Sequence, residues 1–97
     1  MPLLTEAQIA DALRTLPGWT RDGDALVRQF TFSSFPDAVA FVNRLVPHAE
    51  AADHHPDLLV SYRRVTVRWS THSDGGITDK DVAGAKMSDG EAGTAAN

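Results

Sequence analysis

The chain has 97 residues, 42% of them hydrophobic, a formal net charge of −4 and no cysteine. That length gives one small domain with an ordinary core, and the missing cysteines exclude disulfides, thiolate metal sites and cysteine nucleophiles. The negative charge argues against a nucleic-acid partner, because the only local basic cluster, Arg63, Arg64 and Arg68, reads as a solvated strand face.

At the start, Met1-Pro2-Leu3-Leu4-Thr5 has no charged segment followed by an apolar one, as a secretory leader would. No apolar run approaches the roughly eighteen residues of a membrane span, so a soluble cytoplasmic protein is expected. Thr5-Glu6-Ala7-Gln8 is a capping box, with Leu4 and Ile9 placed as a hydrophobic staple. Ile9, Ala12, Leu13 and Leu16 recur at helical spacing until Pro17-Gly18 stops the helix. Trp19 to Phe32 reads as a hairpin turned at Asp22-Gly23. Its second strand puts Leu26, Phe30 and Phe32 on one face, with Arg28 as the polar intruder. Ser33-Ser34-Phe35-Pro36-Asp37 opens a second helix with a capping hydroxyl, a first-turn proline and a carboxylate against the dipole. Ala38, Phe41, Val42, Leu45 and Ala49 form its buried stripe. Pro47 cannot donate to Asn43 and costs about 3 kcal/mol in a helix interior. A kink is expected there rather than a separate short helix, since Ala49, Ala51 and Ala52 are good helix formers.

Leu58 to Thr71 is strand-like, but Leu58, Val60 and Tyr62 fall on even positions and Val65, Val67 and Trp69 on odd ones. One continuous strand cannot bury both sets on one face, so a bulge or a break into two strands is expected near Arg63-Arg64. Gly75-Gly76 gives a loop, and Thr78 caps a last helix through Val82, Ala83 and Lys86. From Ser88 onward the apolar content is too low to pack, which sets a single domain at residues 1–88 and a flexible tail at 89–97. The order α-β-β-α-β-(β)-α predicts an α+β fold, an antiparallel sheet with the helices packed on one face. The other face or a sheet edge is left for a subunit contact, and a domain this small gains from forming a homo-dimer or homo-tetramer.

Asp53-His54-His55-Pro56 and Ser70-Thr71-His72 put three of the four histidines at the ends of one strand region. Imidazole, with an unperturbed pKa of about 6.5, both gives and takes protons near neutrality. Pro56 biases His55 towards extended geometry, so His54 and His55 should point in different directions and take different roles. An exposed polar turn is the plainer alternative. His72 ends the strand at a glycine-containing loop and can approach His54 if the strand folds back near the second helix. The histidines with Glu50, Asp53 or Asp81 would also make a zinc set of three ligands plus water. Against it, adjacent histidines rarely reach one ion, and no His-x-His or His-x-x-x-His spacing occurs. Thr78-Asp79-Lys80-Asp81 is itself a capping box, a role that Asp81 can combine with one towards the site. Trp19, Tyr62 and Trp69 read as core or subunit-contact aromatics, and His48 as a surface histidine.

Together these residues resemble the pterin-4a-carbinolamine dehydratase family over nearly the whole chain. The resemblance runs through Gly18-Trp19, the Asp-Gly hairpin, Phe30-Thr31-Phe32 and Phe41-Val42-Asn43-Arg44. It is sharpest from Ala49-Glu50 through Asp53-His54-His55-Pro56, Tyr62, Val65, Ser70-Thr71-His72, Gly76, Thr78, Asp81 and Ala85. Three positions depart from the pattern: Ala51 where lysine is usual, Leu58 in place of an aromatic, and Pro47 in a helix normally free of proline. The resemblance implies a lyase that dehydrates a 4a-hydroxytetrahydropterin to the quinonoid dihydropterin, in tetrahydrobiopterin recycling beside an aromatic amino-acid hydroxylase, without metal or redox cofactor. Losing water from a carbinolamine needs an acid for the departing hydroxyl and a base for a ring-nitrogen proton, each typically worth 10²–10⁴-fold. The roles implied are proton exchange by His54 and His72, orientation or assistance by His55, and tuning of the imidazoles by Asp53 and Glu50. Asp53, His54, His55, Ser70, Thr71, His72 and Ser73 would cradle the flat pterin, with Glu50 and Asp81 in support. The family resemblance also covers non-catalytic dimerisation or assembly partners of other proteins, against which the three retained histidines weigh.

Overall fold

Helix α1, Glu6–Arg14, starts at the Thr5 cap in a computed structural model that describes residues 2–93. The Thr5 hydroxyl accepts from Gln8 N at 3.1 Å and Gln8 Oε1 accepts from Thr5 N at 2.8 Å, which closes the capping box. Strands β1 (Thr20–Asp22) and β2 (Ala25–Thr31) form the hairpin. Its turn lies one residue later than Asp22-Gly23: Asp22 pairs with Ala25, so Gly23 and Asp24 are the loop. Gly23 takes the positive φ of 60° that a two-residue loop asks of its first position.

Helix α2, Phe35–Ala52, is capped by Ser34, whose hydroxyl accepts from Asp37 N at 3.2 Å. It continues through Pro47, so the alternative of a separate short helix does not arise. Leu45 and Ala49 are buried on either side of the proline, whereas Asn43 and Pro47 are exposed. Packing holds the helix together while water can serve the carbonyl that the proline leaves without a donor.

The phase change in the next segment is a break. Strands β3 (Asp57–Ser61) and β4 (Arg64–Trp69) are antiparallel neighbours joined by Tyr62 and Arg63. The reversal sets Leu58 opposite Val67 and Val60 opposite Val65, so the even and odd apolar sets share one face. Sheet order is β1-β2-β4-β3, with every pair antiparallel.

The helices cover one face. Leu26, Phe30, Val65, Val67 and Trp69 from the sheet form a core with Ile9, Phe41 and Leu45 from α1 and α2. Phe41 lies 4.9 Å from both Phe30 and Phe32, and Trp19 meets Phe30 edge-on at 6.0 Å. Arg28, the polar intruder, stacks its guanidinium 4.4 Å over Phe30 and pairs with Asp89 at 2.7 Å. On the other face, Arg68 pairs with Asp22 at 2.7 Å and Asp24 at 3.2 Å.

Helix α3, Asp79–Ala92, corrects the expected domain end. Ser88 is fully buried, Asp89 accepts from Trp19 Nε1 at 2.9 Å, and Ala92 is buried. This last turn is held by polar contacts to the core, which a count of apolar residues misses; helix therefore occupies positions 89–92 of the segment read as a tail. Residues 94–97 of that segment lie outside the described residues. Among the described residues no helix is long and apolar enough to cross a membrane.

Candidate active site

The end of α2 aims His54. Asp53 takes the left-handed conformation, φ 49° and ψ 44°, as the helix C-cap. Aspartate is among the few residues that tolerate it. Asp53 N donates to Glu50 O at 3.2 Å and His54 N to Ala49 O at 3.1 Å. This is the double bond pattern of a helix stop closed by a left-handed residue. The cap is thus the visible role of Asp53, whose side chain makes no hydrogen bond among the described residues. Beyond it, the chain swings the His54 ring onto Trp69, stacked at 5.3 Å with planes 27° apart.

Three segments meet at the carboxylate of Asp81, which is 0% exposed. Its Oδ1 lies 2.7 Å from His54 Nε2, and its Oδ2 accepts from Thr71 Oγ1 at 2.8 Å and from Thr78 N at 2.9 Å. Thr78 and Asp81 complete the capping box of α3, so one side chain both caps that helix and meets His54. The proton order follows from these contacts. Thr71 spends its one hydroxyl proton on Asp81, so in the 2.8 Å contact between Thr71 Oγ1 and Thr78 Oγ1 it is Thr78 that donates. With Oδ2 occupied by two donors, Oδ1 accepts Nε2–H of His54. The Nδ1 of that imidazole is then the nitrogen free to take a proton.

His55 turns the other way. Its Nε2 lies 2.5 Å from Glu50 Oε2, where both side chains are exposed. The two adjacent histidines therefore diverge, as the proline-locked junction implies, and each has its own carboxylate. A small hollow beside His55 is lined by Val46, Ala49, Glu50, Pro56 and Leu58. His72 opens a short 3₁₀ turn, His72–Asp74, directly after Thr71. Its ring is exposed and makes no hydrogen bond among the described residues. Thr71 N donates to Gly76 O at 2.9 Å, which pins the loop that carries His72 and Ser73. Asp81 thus ties the His54 segment to the residue before His72. Among the described residues no three histidine, aspartate or glutamate side chains converge as ion ligands would.

Next to His54 lies a cleft of about 250 Å³ between the end of α2 and the first half of α3. Ala52, Trp69, Ala83, Gly84 and Met87 make it mostly apolar, and His48 and Lys80 stand on its rim. His48 is not idle on the surface: its Nε2 lies 2.6 Å from Glu91 Oε2. Ser70 is buried, and its Oγ has no hydrogen-bond partner among the described residues. Trp19 and Trp69 are core aromatics, whereas Tyr62 is 70% exposed at the β3–β4 turn. The stack of His54 on Trp69 and the bareness of Gly84 above it were not readable from spacing, because they join α2, β4 and α3.

The family model described as Pterin 4 alpha carbinolamine dehydratase matches residues 2–90. A relative from Mycobacteroides abscessus, named for the same activity, is 54% identical over 96% of this chain and 99% of its own. Another from Thermomicrobium roseum is 50% identical over 89% of this chain and 92% of its own. Among solved structures, a transcriptional coactivator/pterin dehydratase from Brucella melitensis superposes with a TM-score of 0.91 at 38% identity. That match covers 94% of this chain and 99% of the other. A pterin dehydratase-like protein described as a RuBisCO assembly factor in the alpha-carboxysome reaches 0.63 at 22% identity, covering 77% and 87%, and so shares the fold.

Proposed function

The chain belongs to the pterin 4 alpha carbinolamine dehydratase family, and we propose that it dehydrates 4a-hydroxytetrahydropterins to the quinonoid dihydropterin by histidine acid–base catalysis. The observation that carries this reading is the pairing of His54 with the fully buried Asp81 beside an apolar cleft. Held through Nε2, the imidazole offers Nδ1 as a base in a fixed tautomer, which is the arrangement proton abstraction needs. In the proposed step Nδ1 of His54 takes the ring-nitrogen proton. The electron pair released forms the carbon–nitrogen double bond and expels the 4a-hydroxyl. His72 protonates that hydroxyl so that it leaves as water, and the exposed His72 ring regains its proton from solvent. His55, with Glu50, orients or assists. Asp53, Ser70, Thr71 and Ser73 belong to the segments that would border the flat ring, Ser70 through its main chain because its hydroxyl is enclosed.

Stopped-flow dehydration of a synthetic 4a-hydroxytetrahydropterin tests the reading. His54→Ala and His72→Ala should each slow turnover by roughly 10²–10⁴-fold. Full activity in both variants would refute the assignment, and an inactive wild type would favour a non-catalytic assembly role. Pterin recycling beside an aromatic amino-acid hydroxylase in the cytoplasm is the setting this chemistry suits. Exposed Leu59, Val60 and Tyr62 along the β3 edge and Phe35, Val39 and Val46 on α2 support a homo-dimer or homo-tetramer. Sedimentation equilibrium should give the mass of two or four chains; a monomer would contradict this.

A further inference from the structure

Gly84 stands in the interior of α3, where glycine is a poor helix former and alanine the best. Its backbone φ is not positive, so no left-handed turn calls for glycine there. The cause is contact: a Cβ at this position would lie 2.5 Å from Trp69 Cδ2, 2.6 Å from Cε2 and 2.8 Å from Cε3. The indole lies directly against the helix backbone. Ser88, one turn on, donates to Gly84 O at 2.8 Å and accepts from Trp69 Nε1 at 3.0 Å. Trp69 is 1% exposed, so its ring has one seat. The imidazole of His54 stacks against that ring at 5.3 Å.

We propose that Trp69, seated by Gly84 and pinned by Ser88, is a positioning residue that fixes the plane of the His54 imidazole. Asp81 holds one atom of that ring, Nε2, which leaves rotation about the Nε2···Oδ1 line open. A stacked neighbour removes that freedom, and the direction of Nδ1 is then set by two contacts from different elements. The inference rests on the reading of His54 as the base, but its structural half can be measured without any turnover.

The test uses the full chain with ¹⁵N-labelled histidine. Gly84→Ala should raise helix propensity and yet displace the indole, so turnover number should fall at least tenfold with KM changed less than threefold. The His54 imidazole resonances should move with it. Trp69→Phe placed in the same chain gives the Cβ room and keeps an aromatic face, and should restore turnover by at least threefold over Gly84→Ala alone. Ser88→Ala, which removes the indole's hydrogen bond without adding an atom, should lower turnover several-fold and shift the same resonances. It serves as the second reading should Gly84→Ala not fold. Unchanged turnover and unchanged imidazole signals in Gly84→Ala or in Ser88→Ala would overturn the proposal. An inactive wild type whose His54 signals still respond to these substitutions would defeat the dehydratase reading and leave the positioning role standing.

Discussion

Two oxygens of Asp81 serve three donors, and the partition between them decides the chemistry of His54. In Asp81→Asn the carbonyl oxygen must stay with Thr78 N and Thr71 Oγ1, because both donate. The amide nitrogen then faces His54 Nε2, donor against donor, and the imidazole is driven to the tautomer that carries its proton on Nδ1. An imidazole so protonated cannot act as base. Asp81→Asn should therefore cut turnover by roughly 10²–10⁴-fold in the stopped-flow assay, as an orienting carboxylate does in a catalytic triad. Its thermal midpoint should fall only modestly, since the cap to Thr78 N survives. Ser70→Ala runs the other way. The hydroxyl of Ser70 is buried without a partner among the described residues, so removing it should stabilise the fold by about 1 kcal/mol and leave turnover intact, as urea unfolding and the same assay would show. At this scale the residue types were legible in the sequence, and so was the capping box that holds Asp81. It could not announce which carboxylate meets which histidine, because Glu50 and Asp81 differ only in the element that carries them past the pair.

Helix and strand limits were legible where a local rule writes them. The capping boxes at Thr5 and Thr78 and the serine cap at Ser34 all formed, because each is satisfied by residues within three positions. The change of phase between Val60 and Val65 likewise demanded a break, and a two-residue reversal at Tyr62-Arg63 supplies it. Pro47 was harder, since its cost is local and its compensation is tertiary. Leu45 and Ala49 bind α2 to the core on both sides of the ring, and the helix stays whole at a loss of stability. Pro47→Ala restores a donor to Asn43 O and removes the ring's crowding. Part of that gain is lost because proline also restricts the unfolded chain. A net stabilisation of about 1–2 kcal/mol is expected, seen as a higher urea midpoint at unchanged slope. A lower midpoint would show that the ring contributes packing that its exposure does not suggest.

For the molecule as a whole, closure depends on the last turn of α3. The Cα radius of gyration is 12.9 Å, close to the ~12.5 Å expected for a single compact domain of this length. A core this small leaves little margin, so the contacts that bring α3 onto the β1–β2 end of the sheet carry weight. Asp89 accepts from Trp19 Nε1 at 2.9 Å and pairs with Arg28 at 2.7 Å, where the two charged side chains are 29% and 19% exposed. Glu91, two residues on, pairs with Arg44 at 3.7 Å and with His48 at 2.6 Å on a more open surface. The two carboxylates should differ in what their loss does. Asp89→Ala leaves a partly buried guanidinium and an indole N–H without their acceptor, at a cost of about 2–3 kcal/mol. For a domain of this size that lowers the melting temperature by roughly 8–20 °C. Glu91→Ala breaks solvent-screened pairs and should change stability by no more than about 1 kcal/mol. Truncation after Ser88, where apolar content alone would end the domain, should reproduce the Asp89→Ala loss in calorimetry. Equal melting temperatures for the truncated and full chains would mean that the sheet and α2 hold α3 without its last turn, and that the polar clamp contributes nothing to closure.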